Sequence, residues 1–360
     1  MVYRNNEPNN DLPWLPPSPA IETTRVLKRC ITANRALAEL KGACNLIPNP
    51  SILINSIPLQ EARLSSEIEN IVTTQDALFR ALAQEPSQVD VPTRKVLRYR
   101  TALRHGYQAL HDHPLSIDLM IELCSILQDS PAVLRDQEPV LIEDIAAASA
   151  VYTPPRGRDR IVSLLHNLES FLAEPGGFDP LVKMAVAHYQ FEAIHPFIDG
   201  NGRTGRIINL LVLLHAGLLE IPVLYLSRYI IHNKQEYYRR LRRVTEDGDW
   251  EGWLLYMPSA VEETALWTTS RVQAIHELLK DTAQRCRLDL PQRIYSRELV
   301  ELIFVQPYVK IKFVVDAGIA KRQTASEYLH ELEKLGILES ERRGREVIYK
   351  HPALLQVLSE

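Results

Sequence analysis

Residues 195–206 carry the densest chemistry in the chain. Twelve positions hold one imidazole (His195), one carboxylate (Asp199), an amide (Asn201), two guanidiniums (Arg203, Arg206), a hydroxyl (Thr204) and glycines at 200, 202 and 205. Only His195 among them takes up a proton near neutral pH. Gly200, Gly202 and Gly205 let the main chain approach a ligand with no Cβ in the way. Arg203 and Arg206, three residues apart, can grip one polyphosphate with bidentate geometry. A carboxylate beside phosphates is the usual protein ligand of Mg²⁺, which keeps several of its waters. The pattern is that of a segment that binds phosphate, holds Mg²⁺ through Asp199 and moves a proton.

Two helices must position it. Asp179 reads as an N-cap, Pro180 suits the first helical position, and Leu181, Ala185 and His188 share a face. Pro196 stops that helix, because its ring fixes φ and removes a donor. Ile207 to Leu219 is an apolar second helix, so the glycine-rich stretch reads as a loop entering a helix N-terminus. Unpaired N–H groups and the positive dipole end favour phosphate there. Asp-Gly-Asn-Gly could also form a hairpin turn, but helical flanks disfavour it. A P-loop would need Gly-Lys-Ser/Thr, and a dinucleotide fold a preceding strand.

At every defining position the stretch resembles the Fic motif, His-x-Phe-x-Asp/Glu-Gly-Asn-Gly-Arg-x-x-Arg. The resemblance implies a mostly α fold, a helical core with a small β-hairpin flap. It also implies an adenylyltransferase moving AMP from ATP to hydroxyls of proteins, itself included. His195 would be the general base and Asp199 the Mg²⁺ ligand. Gly200, Asn201 and Gly202 would hold the α-phosphate, Arg203 and Arg206 the β- and γ-phosphates, with Thr204 and Gly205 in the same ATP-binding run.

The rest of the chain sets bounds. Its 360 residues suffice for two or three domains. A net charge of −4 gives no sign of a nucleic-acid or membrane partner. Four scattered cysteines without metal spacing fit reduced thiols, and no run approaches a membrane span, so a cytoplasmic protein is expected. Residues 1–92 read as an N-terminal segment, 93–270 as the core, 271–291 as a linker helix and 292–360 as a separate unit.

Prolines 13, 16, 17 and 19 make the N-terminus extended, with Trp14 as its anchor. A helix covers 21–46, and Pro48, Pro50 and Pro58 predict an irregular segment after it. Residues 61–72 then form a short amphipathic helix with Leu64, Ile68 and Ile71 on one face. Ser65-x-x-x-Glu69-Asn70 resembles the family's inhibitory pattern, and its place ahead of the core implies that the protein inhibits itself. Residues 129–142 read as irregular or a short hairpin, where Fic proteins have a flap that aligns the target by strand addition. Arg135 resembles the flap's arginine, whereas Leu134 and Glu138-Pro139 depart from the pattern. Tyr237 and Tyr238 face different sides of one helix: either one meets a ligand or both are core. The resemblance favours Tyr238, with Tyr237, near the adenine.

Residues 292–360 give three helices, then short strands around Arg342-Arg343-Gly344-Arg345, which resembles a winged helix. Its third helix carries Glu327, Glu331 and Glu333, which repel phosphate, so protein recognition or a homodimer contact is favoured over DNA. A DNA-binding regulator that only senses nucleotide is the alternative function. Retention of His195 with Asp199 favours the enzyme, since a regulator needs no proton acceptor.

Overall fold

The computed structural model describes residues 4–17, 21–84, 86–136, 142–144, 149–343 and 346–359. The chain enters as a strap that buries Leu12 and Leu15, while Trp14 stays half exposed under the Arg160 guanidinium, 4.9 Å from its ring centre. The aliphatic residues, not the tryptophan, are the anchors, because the indole can keep one face wet and still stack.

Thr23 caps α1 (Thr24–Cys44), which runs through Gly42 to its end. α2 (Ser51–Ile68), α3 (Gln75–Ala81), α4 (Val91–Ala109) and α5 (Ile117–Gln128) follow, the last three capped by Thr74, Asp90 and Ser116. The segment expected to inhibit is therefore the end of a long helix rather than a short one over 61–72. Pro58 sits inside it. An interior proline costs about 3 kcal/mol, but α2 buries Ile52, Leu53, Ile57, Leu59, Ala62, Leu64 and Ile68, and that packing outweighs the loss.

Strands β1 (Ile142–Asp144) and β2 (Ser149–Tyr152) pair antiparallel. The hairpin thus begins where the sequence had placed its end, and Glu138-Pro139 lie outside the described residues. α6 (Arg158–Ala173), α7 (Pro180–Ile194), α8 (Asn201–His215), α9 (Leu226–His232), α10 (Lys234–Asp247) and α11 (Trp250–Asp289) complete the core. α7 is buried on nearly every side, as a central helix must be, and α8 packs along it. α11 lies against α1 and absorbs Pro258, so the expected core end and linker helix are one 40-residue rod.

The C-terminal unit comprises α12 (Arg297–Val305), β3 (Tyr308–Val309), α13 (Ile311–Asp316), α14 (Arg322–Lys334), β4 (Glu339–Arg343), β5 (Glu346–Lys350) and α15 (Pro352–Ser359). The strand order β3-β5-β4 is that of a winged helix with a third strand the sequence did not reveal, since two residues carry no periodicity. Gly344 and Arg345 lie outside the described residues. No helix among the described residues is long and apolar enough to cross a membrane.

Candidate active site

Asp179 caps α7 by accepting from the Leu181 N–H at 2.9 Å, with Pro180 at the first position. The helix ends at Ile194. His195 follows in the left-handed region (φ 49°, ψ 60°), uncommon for a residue with a Cβ. Burial first, then the Arg135 charge, lower its imidazole to about pKa 4, so at neutral pH the ring is uncharged. Its Nδ1 is buried without a partner.

α8 starts at Asn201, six residues earlier than the apolar run suggested, so the loop is only 195–200 and Gly202, Arg203, Gly205 and Arg206 are helical. The early start comes from Gly200, whose φ of 87° only glycine adopts freely, and from Asn201. The Asn201 side chain accepts from the Phe197 N–H (2.9 Å) and donates to the Phe197 carbonyl (2.7 Å). It staples the loop, and one N–H of its amide, besides its backbone N–H, is left to offer an anion. Asp199 keeps its carboxylate 71% exposed, 3.4 Å from Arg203 Nη2, while its carbonyl accepts from Gln128 (2.6 Å).

Two helical glycines give room to two carboxylates. A Cβ on Gly202 would lie 2.2 Å from Glu69 Oε1, and one on Gly205 would lie 2.5 Å from Glu192 Oε1. Arg203 is 2% exposed, yet its Nε and Nη1 have no partner. Unmade hydrogen bonds on a buried guanidinium are costly, and an anion is what completes them.

Arg206 is buried and engaged by α2 through Nε and Nη2. Its Nε donates to Ser65 Oγ (2.8 Å), and its Nη2 donates to the Ser65 carbonyl (2.9 Å) and to Glu69 Oε1 (2.8 Å). Burial pushes the Glu69 carboxyl up, but Arg206, Arg203 and Lys234 outweigh it and hold it below its usual range. Asn70 (φ 60°) ends α2 with the Asn70 N–H on the Glu67 carbonyl and the Ile71 N–H on the Ser66 carbonyl, both 3.0 Å. That paired closure needs a residue tolerant of positive φ, which explains an asparagine after Glu69. Lys234 Nζ reaches the Ile68 carbonyl at 2.7 Å.

The tyrosines separate. Tyr238 is 42% exposed, near enough to Glu69 and Arg206 to be influenced by both. Tyr237 is buried, its hydroxyl 2.7 Å from His188 Nε2. Asn209 Nδ2 lies 3.1 Å from His188 Nδ1, and burial pushes that imidazole to about pKa 3. Tyr237 is thus packed into the interior against His188 and Trp253. Sequence reasoning missed Glu192, His188, Asn209, Lys234 and Glu61. A polar residue at a core position of an apolar helix was the signal for His188 and Asn209. Among the described residues no three acidic, His or Cys side chains cluster as a metal site. Asp199 alone, exposed beside an anion-ready loop, fits an ion that binds through one carboxylate and phosphates.

Three family models match the chain. Residues 27–108 match the Fic/DOC family N-terminal domain, residues 114–213 the Fic/DOC family, and residues 278–354 the C-terminal domain of the SoFic-like protein adenylyltransferase. Protein adenylyltransferase Fic of Aedes aegypti is 32% identical over 202 residues, covering 50% of this chain and 39% of that protein. A probable protein adenylyltransferase of Aquifex aeolicus is 31% identical over 103 residues, 29% of each. The chain thus spans about two fifths of the length of the animal relatives it matches. In fold it is similar to a Fic family protein from Desulfovibrio desulfuricans (TM-score 0.56, 18% identity, 91% of this chain and 96% of that one). Fic-1 from C. elegans gives a TM-score of 0.52 at 20% identity, over 70% and 74%. With matches running from residue 27 to residue 354 on a fold of the same kind, the chain belongs to the Fic/DOC family.

Proposed function

We propose that this protein is an adenylyltransferase that moves AMP from ATP to Ser, Thr or Tyr hydroxyls of proteins, its own chain included, and that Glu69 holds it inactive. The observation that carries the reading is the pairing of an uncharged, half-buried His195 with a buried Arg203 whose Nε and Nη1 await an acceptor. The attacking hydroxyl loses its proton to His195 as its oxygen bonds to the α-phosphorus. The bond from that phosphorus to the bridging oxygen breaks, and pyrophosphate leaves into the grip of Arg203 and Arg206. N–H groups at the start of α8 and its dipole stabilise the charge on the α-phosphate oxygens. Mg²⁺, held by Asp199, would neutralise phosphate charge. Unbridged Cys30, Cys44, Cys124 and Cys286 support a cytoplasmic setting.

Incubation with α-labelled ATP tests the proposal. Label should enter the protein, and His195→Ala should lower transfer by on the order of 10²-fold or more while ATP still binds. Nucleotide binding without transfer, even after Glu69→Gly, would favour the sensing regulator instead.

A further inference from the structure

Arg135 stands sixty residues from the loop, on a stretch without helix or strand, yet it is 4% exposed. Its contacts concentrate on one turn of backbone. Nε donates to the His195 carbonyl (2.7 Å), Nη2 to the Ile194 carbonyl (2.9 Å), and its own N–H to the Pro196 carbonyl (3.0 Å). One residue further back, the Tyr152 hydroxyl at the end of β2 donates to the Ala193 carbonyl (2.9 Å). Four consecutive carbonyls, 193 to 196, are thus held by the segment running from Arg135 through the hairpin.

Two of them, Ala193 and Ile194, are among the last carbonyls of α7, which a helix C-terminus leaves without intrahelical partners and which carry its negative dipole end, and the other two belong to the turn that follows. The chain also passes there through the left-handed region at His195, a conformation that persists only when its surroundings over-determine it. A planar guanidinium spanning two successive carbonyls supplies that constraint, because its donors have fixed relative directions.

We propose that Arg135 is a positioning residue for transfer: by clamping the carbonyls of Ile194, His195 and Pro196 it fixes the turn that aims the His195 imidazole into the cleft. The inference rests on the reading of His195 as the base. Geometry predicts an effect on rate more than on nucleotide affinity, since the hydrogen bonds of Arg135 among the described residues go to the carbonyls of 194–196 and none to the start of α8. Charge adds a second signature. The groups whose charges reach the ring are Arg135, which disfavours its protonation, and Glu69 and Asp199, which favour it. Removing Arg135 therefore raises the imidazole pKa toward the ordinary histidine value, whereas a lysine keeps the charge and loses the fork.

The test compares Arg135→Gln and Arg135→Lys in the 360-residue Glu69→Gly protein. Three things are measured: self-labelling from α-labelled ATP across pH 5 to 9, ATP affinity by calorimetry, and His195 titration by NMR. Arg135→Gln should lower kcat by about 10²-fold, as small misplacements of a reacting group do, with ATP affinity changed less than about threefold. The acid limb of its rate profile and the NMR titration of His195 should both move to higher pH. Arg135→Lys should lose rate with the titration left in place. Unchanged kcat in both variants, or a His195 titration that Arg135→Gln leaves unmoved, overturns the proposal, and so does a fall in ATP affinity that matches the fall in rate. Because the titration needs no turnover, a silent Glu69→Gly parent would end the functional reading while still deciding this one. Should Arg135→Gln fail to fold, a Lys variant with undiminished kcat is itself an overturning result.

Discussion

Glu61 is fully buried on α2, and its carboxyl accepts from the Ser227 N–H (2.9 Å), the Ser227 hydroxyl (2.5 Å) and the Tyr99 hydroxyl (3.3 Å). Burial pushes its pKa to about 7, against the pull of those bonds and of Arg206. A raised carboxyl favours the fold at low pH, where both states carry the proton. As pH rises past the usual glutamate range the unfolded chain releases its proton first, and the advantage is gone above about 7. Glu61→Gln keeps a group that can pair with all three partners and does not titrate. Its melting temperature relative to wild type should therefore increase by a few degrees between pH 5 and pH 8, as followed by circular dichroism. A difference that stays constant with pH would show that Glu61 does not titrate there. Glu192, also pushed by burial to about 7, contributes the same sign to both proteins and drops out of the comparison. At this scale the sequence was legible where spacing itself encodes chemistry: His195, Asp199 and Arg206 stand together because twelve residues placed them so. Glu61 was hidden because an acid on an amphipathic helix ordinarily faces water, and Glu192 because an acid is seldom buried even on an apolar helix such as α7, so only tertiary packing reveals them.

At the scale of elements, the last turn of α2 meets the first turns of α8, and α2 would be the plug of the proposed enzyme. Arg206 is the shared residue: Ser65 and Glu69 occupy the donors that a γ-phosphate would use. The Arg206 Nη2–Glu69 Oε1 contact is a charge-assisted hydrogen bond in a part-buried cleft, and removing one partner leaves a charge seeking another. Glu69→Gly should raise AMP transfer at least tenfold, because a phosphate held out of line sacrifices rate steeply. Its thermal stability should change little by comparison. Arg206→Ala should not reproduce the gain, since the γ-phosphate loses its anchor as well. Equal transfer by Glu69→Gly and wild type, both folded, would refute the plug. The Ser65-x-x-x-Glu69-Asn70 pattern was readable because the hydroxyl and the carboxylate fall one helical turn apart and the asparagine supplies the stop. The helix carrying it was misread through Pro58, whose local penalty the buried faces of α2 override.

At the scale of the whole molecule, the C-terminal unit grips the plug at both ends. Near its start, Asn49 donates to Glu301 on α12 at 3.1 Å. Beyond its end, α3 is held by the sheet: Tyr308 hydrogen-bonds Asp76 and stacks on Phe79 with ring centres 6.3 Å apart, and Arg80 pairs with Glu341 at 3.3 Å. Tyr308→Ala should lower the melting temperature and raise transfer in the wild-type background, and raise it no further after Glu69→Gly. A rise of equal size in both backgrounds would place the effect outside the plug. The leucine spacing of α14 made this unit readable, while its docking on α3 was not, because long-range contacts leave no trace in periodicity. Plug and site also share one chain, so Glu69 meets Arg206 at an effective concentration set by the tether and not by the solution. Dilution therefore leaves the inhibited fraction unchanged, and each molecule opens on its own clock. Label incorporated into an added acceptor, per molecule of enzyme, should stay constant across a hundredfold range of protein concentration, whereas a plug donated by a neighbouring copy would release its grip as the solution thins.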